Sequence, residues 1–243
     1  MKVHHTTALA LISASTLLAS ASSVPLIGAF EKSGSMPLQV LAIVTALTVL
    51  PAVIMTITPF LRITIVLHFL RNALGTQTSP SNQVLLGLSL LLTSVIMQPI
   101  AIQMYEKGWR PYESGEISAT QALDVGMIPL RQFLVKYCSE KDLQLFLGIA
   151  KLPAPANPAE LELRILLPAY ILSELRVGFQ IGAVLFLPFL VIDLIVAGVT
   201  LSIGMVQLPP VMLSAPFKVI LFVLADGWNL VVGSLVRSFY SAS

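Results

Sequence analysis

Charged residues are scarce in this chain, at 11% of its 243 residues, whereas soluble domains carry about 25%. Apolar residues make up 56% and the mean hydropathy is +0.89, as is typical of a membrane protein. The net charge of +2 is too small to indicate a nucleic-acid or acidic partner. The single cysteine, Cys138, excludes an internal disulfide and a cysteine-cluster metal site.

Catalytic motifs are also missing. The sequence has no Gly-x-Ser-x-Gly, no His-Glu-x-x-His and no Gly-rich phosphate loop. His68 has no evident metal or base-orienting partner in the sequence, and His4 and His5 fall in the segment that we expect to be removed. We therefore predict no enzymatic activity, no catalytic residue, no cofactor and no metal site.

The N-terminus, MKVHHTTALALISASTLLASA, has the layout of a cleavable secretory signal over residues 1–21. Lys2 precedes an apolar core of about eleven residues, which is too short to span a hydrocarbon layer of about 30 Å. A short N-terminal extension, 22–35, would follow. A cleaved signal places the mature N-terminus outside the cytoplasm.

Apolar blocks make up most of the remaining chain, at 36–70, 84–102, 165–203 and 211–236. The first and third, as continuous helices, would reach about 50–60 Å at 1.5 Å per residue, well beyond a bilayer core. Internal prolines predict that both are broken or bent; these are Pro51, Pro59, Pro168 and Pro188. We predict an all-α, membrane-associated fold of long, bent, proline-broken hairpins, at 36–102 and 165–243.

Isolated charges interrupt these blocks. An ionisable side chain that faces lipid costs several kcal/mol, so such groups normally face protein or a water-filled cavity. We expect Glu174 and Lys218 to pair, within or between subunits, and Arg176 and Asp193 to be sheltered in the same way; snorkelling to the membrane surface is the alternative. One chain has too few helices to cover these groups, which predicts an oligomer or a larger complex.

The polar segment 103–164 holds more than half of the charged residues, which predicts a small water-facing domain, and its spacing is helical. With the mature N-terminus outside the cytoplasm and two crossings before this segment, we expect the domain in the periplasm. Ser118 and Gln121 have the spacing of a capping box, and Ser139 is placed to cap a further helix. In the apolar block after it, Gly178 and Gly182 form a G-x-x-x-G spacing, a weak signal for close helix packing.

The hairpin 204–212, GMVQLPPVM, has no charge, although most turns between membrane helices are polar. From the residues alone, an ordinary buried hairpin explains it, with Pro209 and Pro210 ending one helix and starting the next.

Five stretches in order resemble the FliP/SctR family of type III secretion export gates, over residues 36–240. They are the segment 37–93, SGEISATQALDVGMIPLRQFL, LPAYILSELRVGFQIG, LPFLVIDLIVAGVTLSIGM and PPVMLSAPFKVILFVLADGW. The signal and the long polar middle are similar to the flagellar members. The resemblance implies five copies assembled with FliQ and FliR, alongside FlhB and FlhA, into a gated channel for unfolded flagellar proteins. That channel would lie at the inner membrane of the flagellar basal body, with movement powered elsewhere.

The resemblance also implies a role for the hairpin. In the family, the matching loop projects into the pore and forms a gasket, usually of three methionines. Here Met205 matches the first, whereas Val206 and Gln207 replace the other two, with Gly204, Pro209 and Pro210 supporting the loop. Methionine can seal closely yet deform, and Val206 could still close the pore by dewetting.

Two alternatives remain at this point. One is the export gate of a virulence injectisome, with the same mechanics and different cargo. The other is a proton-coupled carrier in which Glu174, Arg176 and Asp193 act as a relay.

Overall fold

A computed structural model describes residues 36–76, 79–153, 161–204 and 209–240. The predicted signal, 1–21, and the extension that follows it, 22–35, lie outside the described residues. Every regular element described is helical, as predicted. The helices are α1 Met36–Thr56, α2 Phe60–Ala73, α3 Asn82–Met104, a π-helical turn Tyr105–Trp109, α4 Arg110–Glu113, α5 Ala119–Gly126, α6 Ile128–Tyr137, α7 Glu140–Ala150, α8 Leu163–Ser202, α9 Pro210–Leu224 and α10 Gly227–Tyr240.

The chain divides into two compact units, Met1–Val53 and Ile54–Ser243. The described part of the first unit is most of α1, a helix without charge whose Thr45 and Thr48 hydroxyls donate to its own backbone carbonyls. These bonds satisfy the two hydroxyls within the helix, as an apolar surrounding requires. Its large aliphatic side chains are exposed along its length, among them Val40, Leu41, Val44, Leu47 and Leu50.

The second unit is built on the packing of α2 along α8. Buried side chains of the two helices form the middle of the core, and α6 and α7 add to it; the contributions of α2 and α8 include Ile63, Val66, Leu67, Leu70, Leu166 and Tyr170. Two helices of the polar segment, α6 and α7, therefore pack on the core that α2 and α8 share.

Proline affects the helices less than predicted. A break falls directly before α2, which starts after Pro59, but Pro51 lies inside α1. Of the predicted break or bend, the break does not occur at Pro168 or Pro188, because both lie inside α8, which is one helix of 40 residues. Each internal proline removes one backbone hydrogen bond, and apolar surroundings favour keeping the others, so the helix continues.

Helices of membrane-spanning length are present. Among the described residues, Asn82–Glu113 and Leu163–Ser202 could each cross a membrane by length and composition, and the number rises to four if two bent pairs of helices each count as one span. One of those pairs is α9 and α10, which meet at 66°. The bend follows Ala225, where Asp226 has a left-handed φ of 50° and accepts a hydrogen bond from Asn229.

The polar segment folds as predicted in two respects. Ser118 and Gln121 form a capping box at the start of α5. Leu130, Phe133, Leu134 and Tyr137 share one helix, α6. Ser139 precedes α7 but makes no side-chain cap; its backbone N–H instead donates to the Ser173 hydroxyl at 2.8 Å.

Candidate functional site

The uncharged turn joins the ends of α8 and α9. Gly204 has φ +80°, a left-handed conformation that favours glycine, and Pro210 occupies the first position of α9, where its missing N–H costs nothing. Gly204, Pro209 and Pro210 thus bracket the turn as helix stop and start. The predicted gasket residues Met205, Val206 and Gln207 lie outside the described residues, so their role stays a prediction.

The parts of α8 and α9 nearest the turn expose large apolar side chains. On and directly after α8 these include Leu194, Ile195, Val199 and Ile203, and on α9 they include Val211 and Met212. A groove of about 620 Å³ runs between them, lined by Val196, Thr200, Leu213 and Pro216 among others. Surfaces of this kind suit contact with lipid or with another protein chain.

Asp193 binds α9 near the end of this groove that is farther from the turn. One carboxylate oxygen accepts from the Lys218 ammonium at 2.6 Å, and the other accepts from the Ser214 hydroxyl at 2.5 Å. Lys218 is 1% exposed, and a buried ammonium requires such a partner. Ser214 and Lys218 are one helical turn apart on α9, so a single carboxylate holds two successive turns of that helix.

Glu174 pairs with Arg62 of α2. The guanidinium binds both carboxylate oxygens, at 2.9 and 2.5 Å, and both side chains are buried. The predicted pair of Glu174 with Lys218 is therefore wrong within this chain. Each already has a nearer opposite charge, because α8 meets α2 along its first half and α9 along its second.

Arg62 also holds the end of α10. Its guanidinium donates to the Ser238 hydroxyl at 3.3 Å and lies over the Phe239 ring, 4.1 Å from the centroid. The Tyr137 hydroxyl donates to the Phe239 backbone carbonyl. Burial raises the pKa of Tyr137, and the nearby Arg62 charge opposes that rise. One buried arginine therefore joins α2, α8 and α10.

Arg176 pairs with Asp142 of α7 at 2.5 Å, and the Ser173 hydroxyl donates to the other oxygen of Asp142 at 2.8 Å. Asp142 is buried although it lies in the polar segment. Burial raises the pKa of the neighbouring Cys138 thiol; the Ser173 hydrogen bond lowers that pKa in part, and the Asp142 charge raises it. The bonds from Arg176 and Ser173 to Asp142 therefore connect α8 to α7.

The four charged residues singled out in the sequence thus belong to three separate ion pairs along α8: Glu174 with Arg62, Arg176 with Asp142, and Asp193 with Lys218. Glu174, Arg176 and Asp193 do not bind one another among the described residues. Each pair joins two helices, so the charges act as ties between helices.

Sequence reasoning missed Arg62 as a partner and missed Ser214 and Asp142. Asp193 and Lys218 could have been matched, because they lie at similar distances before and after the turn, where the facing helices of a hairpin meet. Arg62 and Glu174 are 112 positions apart, and no local pattern relates them.

The small residues of α8 pack against α2. The G-x-x-x-G pair places Gly178 beside Ile65 and Gly182 beside Phe69. A Cβ added at Gly182 would lie 2.6 Å from Cγ of Phe69. This weak sequence signal therefore marks a close contact between α8 and α2.

Comparison with known proteins gives consistent matches. The model described as the FliP family matches residues 43–235. The chain is 47% identical over 210 residues to the flagellar biosynthetic protein FliP of Pectobacterium carotovorum subsp. carotovorum, covering 86% of this chain and 81% of that protein. It is 43% identical over 205 residues to FliP of Bacillus subtilis (strain 168), covering 84% and 93%. With FliP of Caulobacter vibrioides it shares 44% identity over 201 residues, covering 83% and 76%.

Proposed function

The chain belongs to the FliP family of flagellar biosynthetic proteins, and on that premise we propose that it forms part of the flagellar type III export gate. In this role it is a non-enzymatic channel subunit. With partner subunits it surrounds a closed path through which unfolded flagellar proteins leave the cell.

The observation that carries this proposal is the uncharged turn between α8 and α9. Both helices present exposed aliphatic side chains as they approach it, and residues 194–217 contain no charged side chain. A dry seal needs this composition, because a charge in a narrow apolar constriction would hold water there. The resemblance assigns the gasket to Met205, Val206 and Gln207, supported by Gly204, Pro209 and Pro210.

The assembly that we propose has five copies of this chain together with FliQ and FliR, next to FlhA and FlhB. It lies at the inner membrane of the flagellar basal body, with the polar segment 103–164 on the periplasmic side. The exposed aliphatic faces of α1, α8 and α9 support this assignment, since an isolated water-soluble monomer would rarely expose so much apolar surface.

The seal would differ from the methionine ring usual in the family. Met205 supplies one flexible, polarizable side chain per copy. Val206 would close the path by dewetting, and Gln207 would hydrogen-bond to its equivalents around a ring of copies.

Deleting 205–207 tests the function. Cells that express the shortened chain together with its partners should become permeable to small ions, as measured by conductance or by dye and potassium release. A second variant, Val206→Met with Gln207→Met, restores the family pattern and should remain tight. If the deletion assembles with its partners and adds no leak, the gasket assignment is wrong.

A further inference from the structure

The Asp193 clamp, defined as Asp193 with Ser214 and Lys218, is the polar tie between α8 and α9 that lies nearest the turn among the described residues. On α8, the side-chain hydrogen bonds beyond it are made within the helix itself, from Thr200 to Ala197 and from Ser202 to Gly198. From the level of the clamp towards the turn, the two helices also share the apolar groove.

Apolar packing of this kind fixes the register of two helices weakly. Aliphatic contacts are not directional, and a groove between the two faces reduces the number of atoms in contact. A carboxylate that binds a hydroxyl and an ammonium at once is directional. The clamp therefore fixes the axial register of α9 relative to α8 at the position of Asp193.

Helix α9 needs such a tie near its start. Pro216 has no N–H to donate to the Met212 carbonyl, so the first turns of α9 lack one internal hydrogen bond. The clamp holds Ser214 and Lys218 on either side of that proline. The same Ser214 hydroxyl, which donates to Asp193, lies 3.1 Å from the Val211 carbonyl oxygen, so the clamp is adjacent to the first turn of the helix.

The distances to the turn are short. At 1.5 Å per residue, α8 continues about 14 Å beyond Asp193, and α9 begins about 6 Å before Ser214. A change of register at the clamp would therefore shift the start of α9 relative to the end of α8.

We propose that Asp193 is a positioning residue for the predicted gasket: by binding Ser214 and Lys218 together, it fixes the relative positions of Ser202 and Pro210, between which the gasket is held. This inference rests on the proposed function of the turn. Asp193, Ser214 and Lys218 act through the helices and do not themselves touch cargo.

The test measures the distance across the turn in the purified gate with its partners. Spin labels are placed at Ile203→Cys and Val211→Cys in a Cys138→Ala background, and labelled copies are diluted with unlabelled ones so that each distance lies within a single chain. With the clamp intact, the distribution should be narrow. Ser214→Ala and Asp193→Asn should each shift it by several ångströms or at least double its width, and Asp193→Asn should also raise ion leak several-fold.

The matched control is Glu162→Gln. It removes a carboxylate that pairs with Arg164 at the exposed start of α8, and the distance distribution should stay unchanged. Asp193→Lys combined with Lys218→Asp restores a pair of reversed sign and should narrow the distribution again.

If the Asp193→Asn gate fails to assemble, the Ser214→Ala gate tests the proposal. Ser214→Ala removes one hydrogen bond to Asp193 and leaves the ion pair with Lys218 intact. An unchanged distribution in assembled Ser214→Ala gates would overturn the proposal. A widened distribution together with a 205–207 deletion that does not leak would keep the clamp as a positioning device and reject the gasket itself.

Discussion

The two halves of α8 have different surroundings. Residues 163–182 are mostly buried or half-buried, and α2, α6 and α7 cover them. Residues 183–202 are largely exposed, with large aliphatic side chains such as Val184, Leu190, Leu194 and Val199 pointing away from the chain. The first half is covered by helices of the same chain, whereas the apolar surface of the second half is left for lipid or for other chains to cover.

The chemistry of each half matches its surroundings. The first half carries Ser173, Glu174 and Arg176, and each has a partner on another helix. The second half has Asp193 as its ionised side chain, and that charge is bound to the chain's own α9. The polar side chains of α8 named here thus bind partners within the same chain, and the exposed surface of the second half is apolar.

The largest effect that we expect comes from breaking the buried pair in the first half. Glu174→Gln leaves the Arg62 charge buried without a counter-charge, which should cost about 3–5 kcal/mol of folding free energy. Thermal or denaturant unfolding of the purified protein in detergent measures it. Replacing both Arg62 and Glu174 by Met should cost much less, because it leaves no unpaired charge.

Glu162→Gln provides the surface reference. Its pair with Arg164 is exposed, so the free energy of unfolding should change by less than about 0.5 kcal/mol. Equal losses for Glu174→Gln and Glu162→Gln would remove the distinction between a buried and an exposed pair on this helix.

Glycine substitutions compare the two halves directly. Gly182→Ala should destabilise the chain by about 1–3 kcal/mol, because the new methyl group meets the Phe69 ring. A Cβ added at Gly198 would meet no atom within 4 Å in the described part of the chain, so Gly198→Ala should stabilise the isolated chain by about 0.5–1 kcal/mol.

Unfolding of both variants in detergent gives the comparison, and co-purification with partners extends it. If Gly198→Ala leaves folding intact but reduces assembly, another chain covers this face in the complex. If Gly182→Ala is as stable as the unchanged protein, the close contact of α8 with α2 is looser than the geometry indicates.

The smallest effect concerns cysteine reactivity. Because burial raises the pKa of Cys138, less thiolate is present near neutral pH, and only the thiolate reacts. Alkylation of Cys138 in the folded protein should be slower than in the unfolded chain and should accelerate as the pH rises above the ordinary thiol range.

Ile195→Cys in a Cys138→Ala background reports on the other half, where the side chain is exposed. It should be alkylated quickly in the detergent-solubilised single chain. Cys138 lies beside Ser173, in the first half of α8. If Cys138 in the folded protein is alkylated as fast as in the unfolded chain, the first half of α8 is not packed as described.

Local patterns in the sequence predicted much of the fold. Composition indicated helices of membrane length, Ser118 and Gln121 marked the start of α5, and Pro59 marked the break before α2. These features depend on neighbouring residues or on the hydropathy of a whole segment, and both can be determined from one sequence.

Partner choice between distant helices could not be predicted. Which charge meets Glu174 depends on how α2 lies along α8, and that in turn depends on the glycines that admit Ile65 and Phe69. The sequence also left open whether Pro168 and Pro188 break or only bend the helix. A proline removes one backbone hydrogen bond, and whether the helix continues depends on its surroundings.

The π-helical turn at Tyr105–Trp109 interrupts the regular winding between α3 and α4, and Gly108 within it lies against Ala122 and Gly126 of α5. A π turn accommodates one extra residue, and one residue corresponds to a rotation of about 100° around a helix. Shortening this stretch by one position would therefore turn everything that follows by about a quarter of a revolution. Insertions and deletions should accordingly be tolerated far less here than in the loop after Glu113.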